Sequence, residues 1–279
     1  MRLVIQGSAI SYSHLAHIHQ LCNTSVQFVQ TAQYAYYLAN QTSLSAEIQR
    51  FCAEQHIDCA YVEDTQTIKK FGLCVMDMDS TLISIECIDE IADMVGLKPQ
   101  VAAITERAMQ GELDFAQSLR ERVALLKGLN ESDLMRVLNE RLALNPGAVE
   151  WIATCKKNNI TTLLVSGGFT FFADRVKAML GLDYAVSNSL EIIDGKLTGN
   201  ILGAIVDAQT KANELIKLRD NLGLTVAQTI AIGDGANDLK MMSAAGIGIA
   251  YHAKPIVQAQ ATYALNHVGL DGVIGLLTT

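Results

Sequence analysis

The chain has little that would cut it into pieces. It holds three prolines in 279 residues and no serine- and glycine-rich stretch, so domain boundaries must be read from pattern rather than composition. No window approaches the roughly 18 uninterrupted apolar residues that a membrane-spanning helix needs. The opening MRLVIQGSAISYSHLAHIHQ has one early arginine but no continuous apolar stretch, so it does not read as a secretory signal. Positive charge is also scarce. A formal net charge of -8 argues against broad attraction to nucleic acid or a lipid surface, while leaving room for a local positive pocket that takes a small anion. There is no CxxC pair; the six cysteines, at 22, 52, 59, 74, 87 and 155, are scattered and mostly lie in apolar stretches. They read as reduced core thiols of a cytoplasmic protein. With 50% hydrophobic and only 18% charged residues, the chain can build a sizeable core and is not disordered.

Residues 1 to about 70 read as a small α/β unit. Leu3-Val4-Ile5 is a short strand, and Leu15, Ile18 and Leu21/Cys22 follow at helical spacing. Val26 and Phe28, then Tyr34 to Leu38, suggest a hairpin; Leu44, Ile48, Phe51 and Cys52 a second helix; and 57–62 a last strand. The order βαββαβ is that of a ferredoxin-like fold. In pattern it resembles the ACT type, which implies an amino-acid ligand or a homodimer formed through this domain. His14, His17, His19 and His56 lie here without acids or cysteines at matching spacing, and read as solvated or partly packed. The polar stretch EDTQTIKK, 63–70, marks the boundary, leaving 71–279 as a second domain.

That second domain starts on Leu73 to Met76, an apolar run that ends in Asp77-Met78-Asp79-Ser80-Thr81. Such a run suits a central parallel strand, and open α/β sheets bind ligands beyond the carboxyl ends of their strands. From 85 to about 143 the period turns helical. Stripes at Ile88–Val95, Val101–Ala108 and Phe115–Leu126 each end at a glycine, and Ser132 is placed as the cap of a fourth helix. Four helices before the next strand are too many for a crossover and read as an inserted cap. After Asn145-Pro146-Gly147, strands alternate with helices, which predicts a doubly wound parallel sheet. A β-excursion with turns at Asp194-Gly195 and Thr198-Gly199-Asn200 interrupts it.

Three strand ends hold reactive or anion-friendly groups: Asp77/Asp79/Thr81, Ser166/Gly167/Gly168, and Asp234/Asn237/Asp238. Lys211 lies between the second and third. Each cluster alone is weak evidence, since each also reads as a turn or a helix cap. Their joint occurrence in one order is not.

The set DxDxT, serine after a strand, lysine, then GDxxxD resembles the haloacid dehalogenase-like superfamily. VMDMDSTLISIECIDEIADMVG, ITERAMQGELDFAQSLRERVALLKG, VSGGFTFF, DGKLTG and IAIGDGANDLKMMSAAGIGIAYHAKP are similar, nearly segment for segment, to its bacterial phosphoserine phosphatase family. The likeness covers about residues 73–270. It implies Asp77 as the nucleophile that takes up the phosphoryl group and Asp79 as the group that moves protons. It implies Mg²⁺ on Asp77, Asp234 and the Asp79 carbonyl, with Asp238 supporting from behind. Lys211, Ser166, Gly167 and Asn237 would hold the phosphate. Glu86 and Arg122 would hold the ammonium and carboxylate of an amino-acid substrate. Thr81 fits a donor that fixes the loop, while Phe115 and Met109 suit a pocket wall or core packing equally. Rival readings are a related capped phosphatase acting on phosphohomoserine or a sugar phosphate, and a non-catalytic regulator built on a dead core.

Overall fold

The computed structural model describes residues 1–32, 35–41 and 45–278. Tyr34 and Leu44, which the pattern places in the hairpin and the second helix, lie outside these residues.

The first unit runs β1 (Arg2–Gln6), α1 (Tyr12–Cys22), β2 (Val29–Ala32), β3 (Ala35–Leu38), α2 (Ala46–Glu54) and β4 (Asp58–Val62). Its sheet order β2-β3-β1-β4 is antiparallel throughout, as the ferredoxin-like pattern requires. Alternation decides what each face meets. Leu3 and Ile5 point into a core with Ile18, Ile48 and Cys52 of the two helices, whereas Val4, Ala60 and Val62 join the core of the larger domain. Histidines pack locally: Ser11 N–H donates to His14 Nδ1 at 3.2 Å, and the His17 ring lies 4.4 Å from that of Phe51.

The larger unit starts with β5 (Leu73–Met76), followed by four cap helices: α3 (Cys87–Met94), α4 (Lys98–Met109), α5 (Phe115–Ala124) and α6 (Glu131–Glu140). Asn130, not Ser132, caps the fourth. The Asn130 carbonyl accepts the Asp133 N–H at 2.9 Å, and the Asp133 carboxylate accepts the Asn130 N–H at 3.2 Å, so the helix begins two residues earlier than the serine suggested. Then follow α7 (Ala148–Lys157), β6 (Thr161–Phe169), α8 (Thr170–Leu180), β7 (Tyr184–Ile193), β8 (Lys196–Leu202), α9 (Ala208–Asn221) and β9 (Thr229–Gly233). The chain closes with α10 (Leu239–Ala244), β10 (Ile247–Tyr251), α11 (Pro255–Gln258), β11 (Tyr263–Leu265) and α12 (Gly272–Leu277).

The seven strands lie in the order β11-β10-β9-β5-β6-β7-β8, parallel except for β8. Cys74, Met76, Leu164 and Ile232 face one core; Leu73, Val75, Leu163 and Ala231 face the other. This two-sided burial is why the strand sequences are apolar without alternation. The excursion differs from expectation. Tyr184–Ile193 is one long strand that leaves β6 and turns antiparallel to β8, and Thr198-Gly199-Asn200 lies within β8 rather than in a turn. This hairpin has a use: Gly128 and Glu131 donate to the carbonyls of Leu197 and Gly195, each at 2.8 Å, so it props the cap.

The two units are bound tightly. Buried Asp58 accepts the backbone N–H groups of Asn266, His267 and Val268 at 2.8, 2.9 and 3.2 Å. The buried Arg2 guanidinium donates to the carbonyls of Glu63, Gln66 and Leu276.

Candidate active site

The register brings the three strand ends together. β5 lies between β6 and β9, with Met76 opposite both Leu164 and Ile232, so Asp77, Ser166 and Asp234 emerge at one edge of the sheet. β5's neighbours lie on opposite sides of it, the switch point at which such sheets open a crevice.

Asp79 would face away from Asp77 if the strand continued. It does not. The N–H groups of Thr81, Leu82 and Ile83 all turn back to the Met78 carbonyl, curling the loop so that Asp79 joins Asp77 in one pocket. Ser80 takes a left-handed φ of 56° to make that turn. Asn145 holds it, its Nδ2 donating to the carbonyls of Ser80, Thr81 and Ile83 at 3.2, 2.8 and 3.1 Å. Thr81, read as a donor that fixes the loop, donates to Asp234 Oδ1 at 3.1 Å and so ties the loop to the end of β9. Both loop glycines are spatial requirements. A Cβ on Gly167 would lie 2.9 Å from the Phe115 ring, and one on Gly168 would lie 2.8 Å from Asp79 Oδ2.

The pocket, about 140 Å³, is walled by Asp77, Asp79, Glu86, Arg122, Ser166, Gly167, Asp234 and Asn237, with Ile88, Phe115 and Phe169 as apolar sides. Every pocket-facing residue that the sequence singled out is therefore in one place. Phe115, 38% exposed, is a wall rather than core packing, and Met109 is an exposed helix-end residue outside that wall. A larger cleft of about 680 Å³ lies between the first sheet and the core, lined by Gln6, Asn145, His267 and Asp271 among others. It contains none of these carboxylates, so the chemistry belongs to the smaller pocket.

Behind the pocket, Lys211 is fully buried, with Nζ 2.8 Å from Asp77 Oδ2 and 2.7 Å from Asp238 Oδ1. Burial pulls the ammonium towards neutrality, but the two carboxylates outweigh it and the lysine stays charged. Asp238 Oδ2 also accepts the Gly235 N–H at 3.1 Å, so both its oxygens are engaged by the protein.

Among the described residues, Asp77, Asp234 and Asp238 form the cluster of carboxylates close enough to share a metal ion, with oxygens within 4.8 Å of one another. Asp79 and Glu86 stand beside them, while the nearby cations are Arg122 in the pocket wall and Lys211 behind it. Five carboxylates against two cations, all with oxygen donors, fit a hard divalent cation. Burial and the neighbouring Asp77 push Asp234 up to about 6 and Asp238 up to about 7. Asp79 is driven far above the carboxylate range by burial and then by Glu86. That is the direction a proton-donating carboxyl requires. Glu86 caps no N–H of α3; its Oε1 accepts the Ser80 hydroxyl at 2.7 Å. Burial and the nearby Asp234 and Asp77 push it to about 6. Among the described residues Arg122 makes one weak bond, from Nε to the Ser118 carbonyl at 3.4 Å, and its guanidinium lines the pocket.

Residues 74–243 match the haloacid dehalogenase-like hydrolase family. The chain belongs to it. It is 45% identical to a phosphoserine phosphatase of Haemophilus influenzae over 277 residues, which is 99% of this chain and 88% of that one. Identity to a phosphoserine phosphatase of Vibrio cholerae is 50% over 235 residues, covering 84% of this chain and 71% of the other. The fold superposes on the unliganded crystal structure of a probable phosphoserine phosphatase from Vibrio cholerae with a TM-score of 0.88 at 42% identity. That match covers 99% of this chain and 86% of the other. The carboxylate cluster lies within the matched span, at Asp77, Asp234 and Asp238.

Sequence reasoning passed over Asn145, Cys87 and Asn188. Cys87 donates its N–H to Asp79 Oδ1 at 3.4 Å, and Asn188 its Nδ2 to the Gly167 carbonyl at 2.7 Å. The asparagine after an apolar strand was the available signal for Asn188. The NPG stretch signalled only a turn at Asn145.

Proposed function

We propose that the chain is a Mg²⁺-dependent phosphoserine phosphatase that releases L-serine and phosphate, the last step of serine biosynthesis, in the cytoplasm. The observation that carries this is one small pocket holding a carboxylate pair at a strand end together with one acid and one guanidinium, Glu86 and Arg122. The first pair suits phosphoryl transfer. The second suits the ammonium and carboxylate of a free amino acid. A sugar phosphate would use neither charge.

In the proposed reaction an Asp77 oxygen attacks phosphorus as the bond to the serine oxygen breaks, and Asp79 gives its proton to that oxygen. Water then attacks the aspartyl phosphate, Asp79 takes up its proton, and phosphate leaves with Asp77 restored. Two like charges 4 Å apart cost about 4 kcal/mol at an effective dielectric of 20, so the approach needs cations. Lys211 supplies one, and the Ser166 hydroxyl, the Gly167 N–H and Asn237 donate to the phosphoryl oxygens. Asp77, Asp234 and the Asp79 carbonyl, with Asp238 behind, would hold Mg²⁺, which when bound would supply the remaining positive charge. We assign residues 1–70 to a separate ACT-like domain and 71–279 to the phosphatase domain, with its cap at about 85–143. A homodimer would form through this N-terminal domain.

The test is phosphate release from phosphoserine, phosphohomoserine and a sugar phosphate, with Mg²⁺ and with a chelator, alongside Asp77→Asn. Phosphoserine should be preferred, the chelator should abolish turnover, and Asp77→Asn should lose at least about a thousandfold. A preference for another substrate would overturn the amino-acid reading. Turnover by Asp77→Asn would overturn the mechanism.

A further inference from the structure

Between the strand pairs Val165↔Val186 and Phe169↔Asn188, β6 carries Ser166, Gly167 and Gly168 against the single Ser187 of β7. The bulge aims this segment into the pocket, but it takes the backbone there out of the ladder. A buried carbonyl left without a partner is costly, so something must replace the lost bonds.

Asn188 does so. It is 1% exposed, and its Nδ2 donates to the Gly167 carbonyl at 2.7 Å while its Oδ1 accepts the Val206 N–H at 2.8 Å. One end of the amide must donate and the other accept, so its two partners set its orientation. The effect runs in two directions. The Gly167–Gly168 peptide is gripped at both ends: its carbonyl by Asn188, and its N–H by Ser166 Oγ at 2.8 Å. Since that oxygen already accepts from Gly168, the Ser166 hydroxyl proton is left to donate elsewhere, and Ser166 lines the pocket. In the other direction Val206 precedes Asp207, whose carboxylate caps α9 by accepting the Thr210 N–H at 2.8 Å. Lys211 follows directly.

We propose that Asn188 is a positioning residue for the phosphoryl group. A single buried amide sets the spacing between the arm carrying the Ser166 and Gly167 donors and the arm carrying Lys211. It also holds Ser166 as a donor through the chain Asn188, Gly167–Gly168 peptide, Ser166 hydroxyl. It touches no reacting atom. The inference rests on the phosphoryl-transfer reading above, but not on the identity of the leaving group.

The experiment uses the full chain with Asn188→Asp, which keeps the acceptor for Val206 and loses the donor to Gly167, and Asn188→Ala, which loses both. Inhibition constants for inorganic phosphate and for free serine are measured beside kcat, KM and the thermal midpoint. Phosphate binding should weaken and kcat fall by about 10–100-fold, as for residues that orient a site from behind. Serine inhibition should stay at the wild-type value, because Glu86 and Arg122 are untouched. Wild-type phosphate affinity in Asn188→Asp, or equal weakening of phosphate and serine, overturns the proposal. So does failure of both variants to fold, which would make Asn188 a support of the fold alone. An unmodified chain that binds phosphate but ignores phosphoserine would instead overturn the substrate reading and leave the phosphate comparison intact.

Discussion

Lys211 Nζ lies 2.8 Å from Asp77 Oδ2 and 2.7 Å from Asp238 Oδ1, and all three side chains are buried. One cation thus holds two carboxylates in a place with almost no water. Removing it should do more than weaken phosphate binding. Lys211→Met leaves two buried acids unpaired and should destabilise the chain by about 3–5 kcal/mol in the presence of a chelator. Activity should fall at least about a hundredfold. Lys211→Arg keeps the charge but not its point-like shape, and should recover stability more than activity. Denaturant titrations beside initial rates check both; a Lys211→Met chain of native stability would show that the pairings are worth little.

A pH dependence follows from Glu86. Its carboxyl, pushed to about 6, must be ionised to hold an ammonium group. KM for phosphoserine should therefore rise as pH falls through about 6, by up to tenfold per unit. An aryl phosphate, with no ammonium, should lack that rise, as should phosphoserine with Glu86→Gln. The stability effect has the opposite sign. Because the folded-state value lies above the ordinary 4.5, the folded chain holds this proton more tightly than the unfolded one. That contribution is fully present below 4.5 and is lost as pH rises through about 6.

Asp58 offers a test of how firmly the two units are joined. Asp58→Ala would leave three backbone N–H groups of the 266–268 segment without their acceptor. At about 1–3 kcal/mol for an unpaired buried group, with some recovery by entering water, a loss of about 2–4 kcal/mol is expected. Asp58 is no part of the catalytic pocket wall, so kcat should hold. Chemical denaturation beside steady-state rates measures this; a large fall in kcat at unchanged stability would mean that the junction communicates with the site.

Much of this was legible in the residues because the parallel strands announce themselves as apolar runs and each functional cluster stands at the end of one. Asp77, Ser166 and Asp234 needed only the rule that strand ends share an edge. The four cap helices were equally plain, since their stripes and terminal glycines are local. Asn130 was missed as a cap because Ser132 is an equally good capping type and only backbone geometry separates them. The long β7 was split because its pairing changes from β6 to β8 part-way, which no local pattern records.

What the chain by itself determined is therefore the chemistry available: paired carboxylates, a lysine, a serine between glycines, and an acid and an arginine in a cap. Residue type and spacing along one strand or helix carry that information. Tertiary structure decided which group is held by which. Asn145 reaches the loop carbonyls across 62–65 residues of chain, and Thr81 meets Asp234 across 153. Such bonds depend on how separate strand ends and loops converge in space, and the pocket's charge states follow from that convergence. Burial and crowding raise the Asp79 carboxyl while Lys211 holds Asp77, and neither environment exists until the sheet and its cap have closed around them.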